Sequence, residues 1–291
     1  MQGKIIKGVG GFYTVQSGEG ILAVCRAKGV LRSRGEKPLV GDEVDFSLIP
    51  EEEGTGRIDA LLPRKNELIR PAVANMDQAL ILVSAGKPAF HPLLLDNFLL
   101  WMAWQGVPVL IGVGKCDQDK EEAQRISALY QKTGYPVLIF SALSGEGLPA
   151  LREKLKNRTT VLAGASGVGK STLLNALIPD AGMEIGELSD RLGRGRHTTR
   201  HSEIFFLERN SFVLDTPGFT SLETPELKAE EVAQYYPEFT EPAKHCRFPD
   251  CLHDKEPDCG VKAALRSGEV ERSRYESYRR NLEDIRGRRP Y

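Results

Sequence analysis

The sequence predicts a multidomain chain: an N-terminal all-β barrel over residues 1–70, a central α/β domain with a mostly parallel sheet over 71–225, and a C-terminal helical, metal-binding segment over 226–291. Three observations predict it. Five short runs bounded by glycine crowd into the first 70 residues. From about residue 75, apolar strand-like runs alternate with helix-length stretches, the rhythm of a parallel sheet covered on both faces. Three cysteines and a histidine then gather between positions 246 and 259.

The N-terminal runs are "KIIKGVG", "FYTVQSG", "GILAVCRAKG", "GDEVDFSLI" and "GRIDALL". Five short strands in this space suit a small closed barrel, of which the oligonucleotide-binding (OB) fold is a common type; a small sandwich gives a similar pattern. The whole chain has 291 residues, 41% hydrophobic and 27% charged, with a net charge of −1. Such a composition fills a globular core, and the overall charge argues for no particular partner. The opening "MQGKIIKGVG" lacks the apolar run of a signal peptide. The apolar stretch 92–114 carries Asp96, Asn97, Gln105 and Pro108, so it reads as a buried helix, a turn and a strand instead of a membrane span. A cytoplasmic protein with no membrane partner is the expectation.

In the central domain "QALILVSA" begins the alternation, followed by helices near 92–105, 119–133 and 147–156 and by the strands "VPVLIGVG", "PVLIF" and "TTVLAG". After "TTVLAG" comes "GASGVGKS", residues 164–171, matching G-x-x-x-x-G-K-[ST] between a strand and a helix. Gly164, Gly167 and Gly169 leave room for backbone N–H groups to wrap phosphates, alongside Ala165, Ser166 and Val168. The following helix, opening with Lys170, Ser171 and Thr172, aims its positive end at the same phosphates. Lys170 is placed to neutralise phosphate charge, and Ser171 to bind Mg²⁺.

"DTPG" at 215–218 follows the strand "SFVL" and matches D-x-x-G. Asp215 would hold Mg²⁺ through water, and the Gly218 N–H would sense a γ-phosphate. Between these elements lies "GELSDRLGRGRHTTR", where Thr198 or Thr199 can close over the nucleotide. Phe219 stands where many GTPases carry a glutamine that orients water; His197 is the nearest substitute, and spacing alone leaves it even with an ordinary loop histidine.

Guanine is read by an N-K-x-D element and an S-A element at strand ends. Here "GKCD", with Gly114, Lys115, Cys116 and Asp117, and "SAL", with Ser141 and Ala142, both precede the phosphate loop. The usual order is the reverse. The parts therefore run as a circularly permuted P-loop GTPase, with its sites on one edge of a parallel sheet. Gly114 replaces the asparagine that ordinarily ties this loop down.

"CRFPDCLHDKEPDC" offers Cys246, Cys251, His253 and Cys259, a Cys₃His set suited to one closed structural Zn²⁺ site, with His245 as a rival ligand. Cys25 and Cys116 read as core residues. Residues 271–291 hold seven arginines against four acidic residues, and 26–37 hold five basic residues against one. Charge runs are commonly solvated faces, yet two of them flanking a nucleotide site favour RNA over DNA.

The combination of "VGDEV", "GKCD", "SAL", "GASGVGKS", "GRGRHTTR", "DTPGF" and the cysteine cluster resembles the ribosome small-subunit-dependent GTPase A family along essentially the whole chain. The resemblance implies an OB fold, a permuted GTPase domain and a zinc domain in a monomer. It implies binding to the small ribosomal subunit and its rRNA during late maturation, with GTP hydrolysed to GDP and strongly stimulated by that subunit. It assigns the position of His197 a part in hydrolysis, and it expects Asn or Thr where Gly114 stands. Two other uses fit the residues: an RNA-binding module gated by nucleotide without turnover, which Phe219 favours, and an ATP-using P-loop enzyme, for which no acceptor site is found.

Overall fold

The computed structural model describes residues 1–29, 31, 35–50, 52–69, 71–178, 203–208, 210–215 and 224–287. All five expected N-terminal strands are present: β1 (Gln2–Val9), β2 (Phe12–Ser17), β3 (Leu22–Ala27), β4 (Glu43–Leu48) and β5 (Thr55–Leu61). They run β1-β2-β3-β5-β4, and β4 pairs back onto β1, so the sheet closes into a barrel. Alternation explains the closure: Ile5, Val15, Ala23, Cys25, Val44, Phe46 and Ile58 point inward and are sealed from solvent. A two-stranded hairpin, β6 (Glu67–Leu68) and β7 (Val73–Ala74), leads out of the barrel.

The central sheet contains β8 (Gln78–Ser84), β9 (Val109–Gly114), β10 (Val137–Ile139), β11 (Thr159–Gly164), β12 (Glu203–Glu208) and β13 (Ser211–Asp215), in the order β10-β9-β8-β11-β13-β12. Every pairing from β10 to β13 is parallel, and only β12 runs antiparallel, against β13. Residues of β8, β9 and β11 are buried throughout, as strands covered on both faces must be. The covering helices are α1 (Pro92–Trp104), α2 (Lys120–Gln131), α3 (Leu148–Leu155) and α4 (Lys170–Leu177).

Barrel and central domain share one hydrogen-bonded sheet. β1 pairs with β12 at Lys7 and Glu203, whose side chains form an ion pair at 3.0 Å. The sequence pattern carries no sign of this join, because a strand's edge partner is not written into its periodicity.

The C-terminal part has two 3₁₀ stretches (Ala229–Tyr235, Pro237–Phe239), a short α5 (Thr240–Ala243), α6 (Gly260–Ser267) and α7 (Arg272–Gly287). Val232, Tyr236, Phe239, Val261, Tyr278 and Leu282 form its core. α7 packs on α1. Arg274, counted with the basic run, is wholly buried at that contact and belongs to no surface. Arg272, Arg279, Arg280 and Arg286 each pair with carboxylates of this same segment. The five described arginines of the run therefore offer less free charge to a polyanion than composition suggests; Arg288 and Arg289 lie outside the described residues. Among the described residues no helix is long and apolar enough to cross a membrane.

Candidate nucleotide site and metal centre

Parallel register sets the site. Ser84 lies opposite Gly114, Leu82 opposite Gly164, Leu162 opposite Asp215, and Ile139 opposite Val113. The C-terminal ends of β8, β9, β10, β11 and β13 thus form one edge, the position where open parallel sheets bind ligands. Gly114–Asp117, Ser141–Ala142, the 164–172 loop and helix start, and Asp215 all fall on it.

The phosphate loop needs its glycines for space. A Cβ on Gly164, at φ +146°, would sit 2.5 Å from the Leu82 carbonyl oxygen. Gly169, at φ +107°, opens α4 and accepts the Leu173 N–H at 2.9 Å. The Lys170 ammonium donates to the carbonyls of Gly164 and Ala165 at 2.7 and 2.9 Å, so it folds over the cradle it is placed to serve. Burial lowers its pKa, and the negative charge of Asp215 opposes that shift. These features fit a bound polyphosphate.

The base loop is held by several bonds. Lys115 stands at φ +59° and donates from Nζ to the Gly167 carbonyl at 2.7 Å, so it reaches directly into the phosphate loop. Burial depresses its pKa, countered by Asp117. The Cys116 N–H donates to the Phe140 carbonyl at 3.3 Å, joining the base loop to the end of β10. Cys116 itself is buried, as is Cys25, and burial raises both thiols. Ser141 is buried and its Oγ accepts the N–H groups of Leu143 and Ser144 at 3.3 and 3.1 Å, which shapes the turn around Ala142. Asp117 is exposed at the edge, free of burial by protein. His197, Thr198, Thr199, Gly218 and Phe219 lie outside the described residues.

Three neighbours of this site carry no signal in the sequence. Phe140 packs on Gly112 and Gly114, Gln118 packs on Gly86, and Lys87 accepts a hydrogen bond from the Lys115 ammonium through its carbonyl. Only the convergence of four loops reveals them.

Cys246, Cys251, His253 and Cys259 converge, with all four donor atoms within 4.8 Å of one another. The Cys246 Sγ lies 3.8 Å from the Cys259 Sγ and 3.5 Å from the His253 Nδ1; the Cys259 Sγ lies 3.4 Å from that nitrogen. Tetrahedral zinc sites have Zn–S near 2.3 Å and Zn–N near 2.0 Å, giving edges of about 3.8 Å for S···S and about 3.5 Å for S···N. The donor set fits a zinc ion, and His253 supplies the nitrogen in place of His245. Each sulfur also accepts a backbone N–H, from Gly260, His253 and Lys262 at 3.3, 3.4 and 3.5 Å. Burial raises the Cys251 and Cys259 thiols, and the N–H groups of His253 and Lys262 work against that shift. Burial lowers the His253 pKa, which keeps a neutral ligating imidazole. The backbone that carries the histidine is held from outside: the Tyr275 hydroxyl donates to the His253 carbonyl at 2.7 Å and the Tyr278 hydroxyl to that of Leu252 at 2.5 Å.

A phosphate loop that follows both base elements in the chain, yet shares their sheet edge, defines a circularly permuted GTPase. Residues 61–225 match the RsgA GTPase family and residues 2–58 the RsgA N-terminal domain, so the chain belongs to the RsgA family. It is 44% identical to the small ribosomal subunit biogenesis GTPase RsgA of Agathobacter rectalis, covering 100% of both chains. It is 45% identical to the RsgA of Alkaliphilus metalliredigens, covering 100% of this chain and 99% of the relative. Among solved structures it resembles YjeQ from Thermotoga maritima, with a TM-score of 0.82, 33% identity and 99% of each chain covered. It also resembles YloQ, a circularly permuted GTPase, at a TM-score of 0.79 and 35% identity, covering 100% of this chain and 96% of that one.

Proposed function

We propose that this GTPase binds the small ribosomal subunit through rRNA, late in that subunit's maturation, and hydrolyses GTP faster when bound there. Its relatives are named for small-subunit biogenesis. The observation that carries the reading is that one sheet, through the β1–β12 pairing, links the strands of the nucleotide edge to a barrel with an outer face suited to RNA. On that face Phe12 is 45% exposed, lies opposite Arg26 in the β2–β3 pairing, and is stacked by its guanidinium at 4.4 Å. Arg57 continues the same row on β5. An exposed ring flanked by cations offers stacking and charge to single-stranded RNA.

In this reading Lys170 and the 164–169 amides hold phosphates, Ser171 and Asp215 hold Mg²⁺, and Asp117, Ser141 and Ala142 select guanine. Bound Mg²⁺ would neutralise charge developing on the phosphates. Gly218, Thr198 and Thr199 respond to the γ-phosphate, and His197 assists hydrolysis. Zinc on Cys246, Cys251, His253 and Cys259 is structural, because four protein ligands leave no open position. The protein acts as a cytoplasmic monomer without DNA or membrane partners.

Steady-state phosphate release from GTP, with and without purified small subunits and with ATP as control, tests this. GTP-selective stimulation supports it. Turnover indifferent to subunits, with nucleotide-dependent RNA binding, moves the reading to a gated RNA-binding module. Equal use of ATP and GTP would sink both.

A further inference from the structure

In this chain no side chain projects from position 114 to anchor the base loop. Gly114 and Gly112 lie two apart on β9, and the Phe140 ring covers both: a Cβ on Gly112 would meet its Cε1 at 3.1 Å, and one on Gly114 its Cζ at 3.3 Å. Phe140 is itself 2% exposed, so the ring has little freedom to give the small shift that a Cβ at 114 would require.

Another element bridges the gap. The turn 85–88 lies between base loop and phosphate loop and touches both. The Ala85 N–H donates to the Gly114 carbonyl at 2.9 Å. The Lys87 N–H donates to the Gln118 Oε1 at 3.2 Å, and the Lys87 carbonyl accepts from the Lys115 ammonium. On the other side, Pro88 packs against Gly167 of the phosphate loop, its Cδ 3.5 Å from where a Cβ would stand. The Lys115 ammonium closes the circuit on the Gly167 carbonyl. Gln118 packs against Gly86, its Oε1 occupying the space a Cβ there would take. Gly86 has an ordinary backbone conformation, absent from the left-handed positions, so the space taken by Gln118 is what a side chain at 86 would contest.

We propose that Gln118 is a positioning residue of the nucleotide site: by pinning the 85–88 turn it holds the base loop in register with the phosphate loop, which no side chain at 114 does. Gln118 acts through Lys87 and Lys115 and need not touch the nucleotide. The inference rests on the guanine-binding reading of Lys115 and Asp117.

The test is the affinity of the full-length protein for fluorescent GDP and ADP analogues, with GTP kinetics, for the wild type, Gln118→Ala, Gln118→Glu, Gly86→Ala and the double variant Gly86→Ala/Gln118→Ala. Loss of one exposed hydrogen bond predicts that Gln118→Ala weakens GDP binding by about two- to fivefold, seen in KM more than in kcat. Gln118→Glu keeps an acceptor for the Lys87 N–H and restores binding to near wild type. Gly86→Ala evicts the Gln118 amide and matches Gln118→Ala, and the double variant is no weaker than either, because both remove one contact. Wild-type affinity in Gln118→Ala, failed rescue by Gln118→Glu, or losses that multiply in the double variant would each overturn the proposal while leaving the guanine site intact. A wild type that binds ADP as well as GDP would instead remove the guanine-site reading, and the proposal with it.

Discussion

Arg274 on α7 donates through Nη1 to the Asp96 carboxylate on α1 at 2.6 Å, and both side chains are sealed from water. The same guanidinium holds Glu238 at 2.6 Å through Nε and faces the Tyr236 ring at 4.7 Å. Tyr130 on α2 donates its hydroxyl to Asp96 at 2.8 Å. Two carboxylates hold Arg274 firmly charged against the cost of burial. One arginine therefore docks the metal-bearing segment on α1 and α2, the helices that follow the 85–88 turn and the base loop.

Removing one member of such a group strands a buried charge. Arg274→Ala is expected to cost about 3–5 kcal/mol. A lower urea midpoint and faster proteolysis ahead of α7 are the measurements. Exposed Arg272→Ala, which has a single partner four residues away, should lose less than about 0.5 kcal/mol and serves as the control.

Placing at position 114 the asparagine usual in the N-K-x-D motif should not tighten the base site. Gly114→Asn drives a Cβ to within 3.3 Å of the Phe140 ring. Overpacking of this kind costs about 1–3 kcal/mol. The variant should melt earlier and bind GDP no better than wild type; pairing it with Phe140→Leu should relieve part of the strain. A gain in GDP affinity from Gly114→Asn alone would show that Phe140 yields readily.

Purified protein should carry one zinc per chain, measured by elemental analysis. Cys259→Ser should lose the metal and loosen the segment beyond residue 224, read as new proteolytic cleavage there. The C-terminal core is a small cluster around Tyr236, Phe239 and Tyr278, too limited to order the loop of residues 246–259 without the ion. Metal-free protein with an unchanged cleavage pattern would contradict this.

Acid should weaken the barrel through Asp59. Burial works to raise its pKa, but hydrogen bonds from Lys28, Ser47 and Arg57 prevail and bring it down to about 2. A carboxylate depressed in the fold stabilises it above the unfolded pKa of about 3.9. That contribution is lost as pH falls from about 4 towards 2. Asp59→Asn should flatten the fall in unfolding midpoint across this window and be less stable than wild type at pH 7. Parallel wild-type and variant curves would exclude the assignment.

Much of this arrangement was legible in the residues. Period-two alternation announced the five barrel strands, because one face of each must enter a core. Continuous apolar runs announced β8, β9 and β11, buried on both faces. The order of "GKCD", "SAL" and "GASGVGKS" disclosed the permutation, since each motif carries local chemistry that survives any reordering. Cysteine spacing disclosed the metal donors for the same reason.

What the sequence determined by itself were the properties set within a few residues: which segments become strands, which loop wraps phosphate, which four side chains can hold a metal. Tertiary structure alone decided the rest. It joined β1 to β12, buried Arg274 out of an apparently basic surface, laid Phe140 over Gly114, and set Gln118 on Gly86. Each of these is a contact between residues distant along the chain, governed by packing and desolvation at a meeting of elements, and neither periodicity nor local composition carries a record of that meeting.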